Sequence, residues 1–102
     1  MTKGYWVARV DVTDEAAYKN YVSANAEAFT KYGAKFLVRG GTFEAPEGVA
    51  RSRNVVLEFP SYQAALDCYH SPEYAKAKDH RLTAADSELI ILDGYDGPQP
   101  GV

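Results

Sequence analysis

The sequence predicts an α+β protein in which helices cover one face of a four-stranded antiparallel sheet. Segments rich in β-forming residues stand at 4–12, 34–40, 53–59 and 88–94, so four strands are expected. Segments with helical periodicity follow the first and the third of them. The order strand, helix, strand, strand, helices, strand is typical of the split βαβ arrangement called ferredoxin-like, with the first and third strands at the centre of the sheet.

The first strand and the first helix occupy residues 4–33. "GYWVARVDV" alternates and is rich in residues that favour strands. Asp14 and Glu15 favour the N-terminus of the following helix because their charge complements the helix dipole, and Gly33 suits the left-handed residue that commonly ends a helix. Large side chains recur at helical spacing on the side expected to pack on the sheet: Tyr18, Tyr21, Val22, Asn25, Phe29 and Tyr32.

Two further strands, a pair of helices and a last strand complete the order. "AKFLVRG" (34–40) and "RNVVLEF" (53–59) are the second and third strands. Ser61 is a good N-cap for a short helix, and Ser71 with Pro72 begins another, which we expect to run towards Asp86. "ELIILDG" (88–94) is the fourth strand. Residues 1–95 are expected to form one domain, followed by a flexible glycine- and proline-rich tail at 96–102.

Composition argues against several functional classes. Asp and Glu outnumber Lys and Arg by 14 to 11, so we expect no nucleic-acid partner, since such partners select a basic surface. No signal-peptide pattern and no bilayer-length apolar run is present, which predicts a cytoplasmic protein without a membrane partner. The single Cys68 cannot form an internal disulfide. His70 and His80 lack metal-ligand spacing and no cofactor motif is present, so we expect no metal and no cofactor.

The alternation along the strands predicts two different faces of the sheet. One set of residues is almost purely apolar and is expected under the helices: Trp6, Ala8, Val10, Phe36, Val38, Val55, Leu57, Phe59, Leu89 and Ile91. The other set is mixed: Val7, Leu37, Val56, Ile90 and Leu92 with Arg9, Asp11, Arg39 and Glu58. The mixed face is too apolar for water and too charged for a core. We therefore expect a homodimer with a small-molecule cavity at or near the interface between two sheets.

Arg39 with Gly40 and Gly41 is the first candidate site. Arg39 ends the second strand, where the cavity is expected to open, and its guanidinium is suited to a carboxylate or a phosphate. The two glycines permit close backbone approach and positive φ angles, and their amides could help to hold an anion. The alternative is a structural network in which the arginines of the mixed face neutralise its acids, beside a glycine-containing turn.

Asp11 and Glu58 are the candidates for proton transfer. Both fall on the mixed face near strand ends, and partial burial would raise the pKa of a carboxyl group towards a useful range. The alternative is that they neutralise Arg9, Arg39 or Arg81.

Five further residues are expected near the ligand. Arg81 shares a helical side with Tyr74, so it either pairs with an acid or points at the pocket. Arg9 lies on the mixed face with Arg39 and is a second candidate for binding an anion. Tyr5 and Trp6 are expected to bound the apolar part of the ligand if the strand register allows it.

Four segments carry a resemblance to a known family: "YGAKFLVRGG", the later "EG" at Glu47 and Gly48, "NVVLEFPS" and "YHSPEYAKAKDHR". With their order and spacing, the chain resembles the bacterial family called domain of unknown function 1330, within the dimeric α/β-barrel superfamily. The resemblance covers nearly the whole chain and implies a ferredoxin-like fold that pairs through its sheet.

The resemblance leaves the activity open, because the family has no established role and fold alone does not choose a reaction. The superfamily includes cofactor-independent monooxygenases, isomerases, haem-handling proteins and stress proteins. Our first hypothesis is a homodimeric protein that binds a small organic or aromatic acid, with or without catalysis. The alternatives are a cofactor-independent monooxygenase or isomerase, and a non-catalytic stress-related or assembly module.

Overall fold

The computed structural model describes residues 2–101 and confirms the predicted α+β architecture. The elements are β1 (Gly4–Val12), α1 (Glu15–Tyr32), β2 (Lys35–Arg39), β3 (Arg53–Phe59), α2 (Tyr62–Tyr69), α3 (Pro72–Leu82) and β4 (Ala85–Asp93). The strands form one sheet in the order β2-β3-β1-β4, and every neighbouring pair is antiparallel. β1 and β3 are therefore central, as predicted. No helix of the part described is long and apolar enough to cross a membrane.

The starts of the three helices and the end of α1 form as the sequence predicts. The side chain of Asp14 accepts a hydrogen bond from the Ala17 amide at 3.1 Å, and Gly33 ends α1 with a φ of 73°. Ser61 and Ser71 cap α2 and α3 in the same way, each accepting from the amide three residues on. These caps fix where each helix starts on the sheet.

The boundary between α3 and β4 differs from the prediction. α3 ends at Leu82 rather than running towards Asp86, and β4 begins at Ala85, three residues before the predicted start. The reason is pairing with β1, where Val12 lies opposite Ala85 and Val10 opposite Ser87. Pairing with β1 gives hydrogen-bond partners to backbone groups near the start of β4, so this segment joins the sheet and does not extend α3.

A bulge in β2 changes which residues of that strand share a face. Phe36 lies opposite Leu57 and Arg39 opposite Val55, with a shift of register between Phe36 and Val38. Residues opposite one another in an antiparallel pair point to the same face, so Phe36 and Arg39 both face the helices. The predictions that Arg39 lies on the mixed face and that Val38 lies under the helices are wrong, because an extra residue breaks strict alternation.

The core lies between the helices and the helix-facing side of the sheet. Trp6 is at its centre, only 1% exposed, and its indole N–H donates to the Ala65 carbonyl at 2.9 Å. Four aromatic rings lie with their centroids 4.8–5.8 Å from that of Trp6: Phe29, Phe59, Tyr69 and Tyr74. Such aromatic packing stabilises the fold beyond the area it buries.

The opposite side of the sheet, the outer face, is uncovered in this chain. Four apolar side chains expose 42–55% of their surface there: Leu37, Val38, Ile90 and Leu92. Between them lie the paired charges of the mixed set. The face is therefore as mixed as the sequence predicted, with Val38 added and Arg39 removed.

Candidate functional site

A cavity lies inside the chain, between α1 and the helix-facing side of the sheet. Strand register sets its floor. Val10 lies between Arg53 on β3 and Ser87 on β4, and in the next row Ala8 lies between Val55 and Leu89. The small side chain of Ala8 leaves space above the centre of the sheet. The predicted cavity lay at the interface of two sheets, so the observed one is on the other side of the sheet.

One end of this cavity is lined by aromatic and apolar side chains. Trp6, Leu57 and Phe36 form the floor there, and Phe29 of α1 covers it. The ring centroids of Phe29 and Phe36 are 5.7 Å apart, and those of Phe29 and Trp6 are 5.4 Å apart. An apolar ligand body would find its most favourable surroundings at this end.

Three arginines from different elements line the cavity. The guanidinium carbon of Arg39 lies 4.1 Å from the ring centroid of Phe36, and that of Arg53 lies 5.7 Å from the ring of Tyr18. Arg81 reaches in from α3 and stands 5.7 Å from the ring of Tyr21. These stacking contacts hold the cations against aromatic faces without neutralising them.

No carboxylate balances this charge among residues 2–101. None of the three arginines is in a salt bridge there, and no Asp or Glu lines the cavity. Nε of Arg53 and Nε of Arg81 are buried without a hydrogen-bond partner. Buried donors of this kind are rare in native proteins because each costs free energy. The arrangement is suited to an anion that supplies the missing acceptors.

Gly40 makes room for one of these cations. Its φ is 70°, and a Cβ at this position would lie 3.0 Å from Nη1 of Arg53. Its amide already donates to the Asn54 carbonyl at 2.9 Å, so the expected use of that amide for an anion is wrong. Gly41 has a φ of 92° and open space around it. The glycine pair thus lets the chain turn and lets Arg53 approach.

Tyr21 and Tyr74 form a buried polar pair beside Arg81. Their hydroxyl oxygens are 2.8 Å apart, and Arg81 also donates to the hydroxyl of Ser87. Burial raises the pKa of both tyrosines, so both hydroxyls stay protonated at neutral pH. Of the two expectations for Arg81, pairing with an acid or facing the pocket, the structure has the second.

Asp11 lies away from the cavity, on the outer face. It accepts from the Ser52 amide at 2.8 Å and from Arg51 at 2.9 Å. These bonds, the Ser52 amide first, lower the pKa of Asp11, whereas the sequence analysis expected a raised value. Arg51, and not the expected Arg9, is therefore the partner of Asp11. Arg51 also pairs with Glu88 at 2.8 Å.

Glu58, Tyr5 and Arg9 also lie on the outer face. Glu58 pairs with Lys35 at 3.5 Å and accepts from the Tyr5 hydroxyl at 3.4 Å, so the expected Arg39–Glu58 pair does not form. Burial and the charge of Glu58 raise the pKa of Tyr5. Arg9 donates to the Val49 carbonyl at 2.6 Å. Of the predicted ligand-binding residues, the cavity therefore brings together Trp6, Arg39 and Arg81.

The sequence analysis missed Arg53, and with it the polar side chains that α1 contributes. The signal was present: Arg53 is in phase with Val55, Leu57 and Phe59, which places it on the helix-facing side. The sequence analysis correctly placed three polar residues on the packed side of α1 but assigned none of them to a site: Tyr18, Tyr21 and Asn25.

The free space inside is small in this conformation. A water-sized molecule can occupy about 30 Å³, while all the empty space among the lining atoms, solvent at the mouth included, is about 490 Å³. The smaller volume holds one or two waters. A larger ligand therefore enters only if side chains move, and Arg39, exposed at the mouth, is the freest of the arginines.

Solved structures of similar fold are known. The chain has a TM-score of 0.76 and 22% identity to RPA0582, a protein of unknown function from Rhodopseudomonas palustris, over 94% of this chain and 85% of that one. It scores 0.63 at 14% identity with SnoaB, a cofactor-independent oxygenase from Streptomyces nogalater, over 98% and 99%. A dimeric ferredoxin-like protein of unknown function from Bacteroides fragilis scores 0.51 at 13% identity, over 89% and 95%.

These likenesses show the fold, and the chain matches no curated protein. A family model, in contrast, matches residues 3–95 and so covers nearly the whole chain. The matched segment contains the whole sheet, all three helices described above and each cavity arginine. The chain belongs to the family described as domain of unknown function, DUF1330.

Proposed function

We propose that this protein binds a small organic anion with an apolar or aromatic body in the cavity between α1 and the sheet. The observation that carries the proposal is the set of three cavity arginines without a counter-charge among residues 2–101. The anionic group lies between Arg39 and Arg53, and the apolar body extends towards Trp6. Arg53 lies opposite Val10, four residues along β1 from Trp6, which supports this orientation.

The electrostatics of Arg39 and Arg53 support an anion at the mouth. Arg39 is opposite Val55, and Arg53 is two residues from Val55 on the same strand, so the two are diagonal neighbours on one face. Diagonal neighbours have Cα atoms about 7–8 Å apart, and both side chains line the same cavity, so their like charges repel. A bound carboxylate turns this repulsion into two attractions.

Calorimetric titration with benzoate, benzamide and short aliphatic carboxylates tests the proposal. At least one carboxylate should bind, and benzamide should bind at least about tenfold more weakly than benzoate because it carries no charge. Arg53→Gln should weaken carboxylate binding by about ten- to a hundredfold. Arg9→Gln, on the outer face, is the matched control and should change the affinity less than twofold.

Two results would contradict the proposal. One is the absence of binding by every carboxylate. The other is equal binding of benzoate and benzamide that is unaffected by Arg53→Gln.

A cofactor-independent oxygenase or isomerase is the second candidate. The fold likeness to SnoaB supports it, as does a cavity lined mainly by apolar and aromatic side chains. In this version the substrate supplies the reactivity and the protein supplies orientation and a dry site. Oxygen uptake during turnover of a bound acid indicates an oxygenase, and product without uptake indicates an isomerase. Asp11 and Glu58 could serve as proton-transfer groups only in a site on the outer face.

Self-association is the third element of the proposal. We propose that two copies pair through their outer faces, supported by the exposed apolar residues there and by the similar fold of a protein described as dimeric. The small enclosed volume favours a module whose role is pairing alone. The proposed location in either case is the cytoplasm of a bacterium. The unpaired cavity arginines favour the ligand instead, since a purely structural cavity has no need of them.

A further inference from the structure

A second polar group lies across the cavity from Arg53. Val10 has Arg53 opposite it on one side and Ser87 on the other, so the backbones of Arg53 and Ser87 are about 10 Å apart, two strand spacings. Arg81 reaches Ser87 from α3. The cationic groups therefore stand on both sides of Val10 and do not form one cluster.

Arg81 is the most deeply placed of these cations. It is 8% exposed, it lines the cavity, and its Nε has no hydrogen-bond partner. The ring of Tyr21 lies beside it, 5.7 Å from the guanidinium carbon. Tyr21 lines the cavity and Tyr74 does not. When Tyr74 donates its proton to the Tyr21 oxygen, Tyr21 keeps its own proton for a ligand.

We propose that Arg81 and Tyr21 form a second subsite, which binds a second oxygen substituent on the ligand. This inference rests on the proposed function and narrows the ligand class to hydroxy- and oxo-acids. A simple carboxylate held by Arg39 and Arg53 leaves Nε of Arg81 without an acceptor. A hydroxyl or carbonyl oxygen placed across the cavity accepts from both Arg81 and Tyr21, which satisfies the buried donor.

Matched pairs of acids test the second subsite. Benzoate is compared with 3- and 4-hydroxybenzoate, and pentanoate with 4-oxopentanoate, by calorimetric titration of the wild-type protein. The added oxygen should raise the affinity by about three- to tenfold in at least one pair. Tyr21→Phe should remove this gain, so that in the variant each hydroxy- or oxo-acid binds no more tightly than its parent acid. Tyr62→Phe, an exposed tyrosine on α2, is the control and should keep the gain.

The outcomes separate this inference from the proposed function. If no added oxygen improves binding to the wild-type protein, or if the gain persists in Tyr21→Phe, the second subsite is overturned. The proposed function then still stands on the effect of Arg53→Gln on the parent acids. If no acid binds at all, both are overturned. The wild-type comparison does not depend on the folding of any variant.

Discussion

Replacing Arg81 by methionine should stabilise the ligand-free protein while weakening anion binding. Arg81 is 8% exposed and its Nε is buried without a partner, so its charge is only partly compensated. Methionine keeps the apolar stem and removes the charge. Buried unpaired charges cost several kcal/mol, and the hydrogen bond to Ser87 and the contact with Tyr21 return part of that.

The balance of these contributions sets the magnitude. The hydrogen bond from a charged donor contributes about 1.5–3 kcal/mol, so the net gain from Arg81→Met is about 1–2 kcal/mol. For a domain of this size, that raises the Tm by about 5–15 °C. Thermal unfolding by circular dichroism, at one protein concentration and without added carboxylate, measures it. Stabilisation at the expense of function is common where a site holds strained or unpaired groups.

Arg51→Met is the matched control on the outer face. Arg51 is paired with Asp11 at 2.9 Å and with Glu88 at 2.8 Å, so its removal should lower stability slightly or leave it unchanged. A loss of more than about 1 kcal/mol in Arg81→Met would refute the reasoning, because it would mean that Arg81 is a structural residue whose contacts outweigh its desolvation.

Three further predictions concern the turn, the outer face and pH. Gly40→Ala should lower the free energy of unfolding, measured by chemical denaturation, by about 1–3 kcal/mol. The reason is that it adds a Cβ at a positive φ and 3.0 Å from Nη1 of Arg53. An unchanged free energy of unfolding would contradict this, because it would mean that the turn relaxes freely. Ile90→Lys should convert a wild-type dimer to a monomer in sedimentation velocity, without lowering the Tm of the monomer, because it places a charge in the proposed interface. A wild-type protein that is already monomeric would contradict this prediction. The pKa of Asp11 is lowered by the Ser52 amide and Arg51, so its contribution to stability is present above the unfolded pKa of about 3.9 and is lost as pH falls through the lower folded value. Asp11→Asn should flatten the stability profile in that acid range, and an unchanged profile would contradict this.

The elements of the fold were predictable because local chemistry specifies them. The N-caps Asp14, Ser61 and Ser71 act within three residues of their helices, and Gly33 ends α1 through its own φ. The central position of β1 and β3 follows from the order of elements alone. The start of β4 was missed because its first residues are held by pairing with β1, a contact between distant parts of the chain.

The site was less predictable because it depends on register. A single bulge in β2 moves Arg39 from the predicted outer face to the cavity. The identity of ion-pair partners also depends on tertiary placement, as Arg51 shows by reaching Asp11 across 40 positions of the chain. Arg53 was predictable from strand phase and was overlooked because it stands at the very start of β3.

The central claim is that the cavity arginines hold an anion, and NMR of the arginine Nε–H groups tests it most directly. The protein is labelled with ¹⁵N and titrated with the carboxylate that binds most tightly in calorimetry. The Nε–H signal of Arg53 should shift and become protected from exchange, whereas those of Arg9 and Arg51 on the outer face should stay in place. Shifts confined to the outer-face arginines, or none at Arg53 at saturation, would contradict the claim.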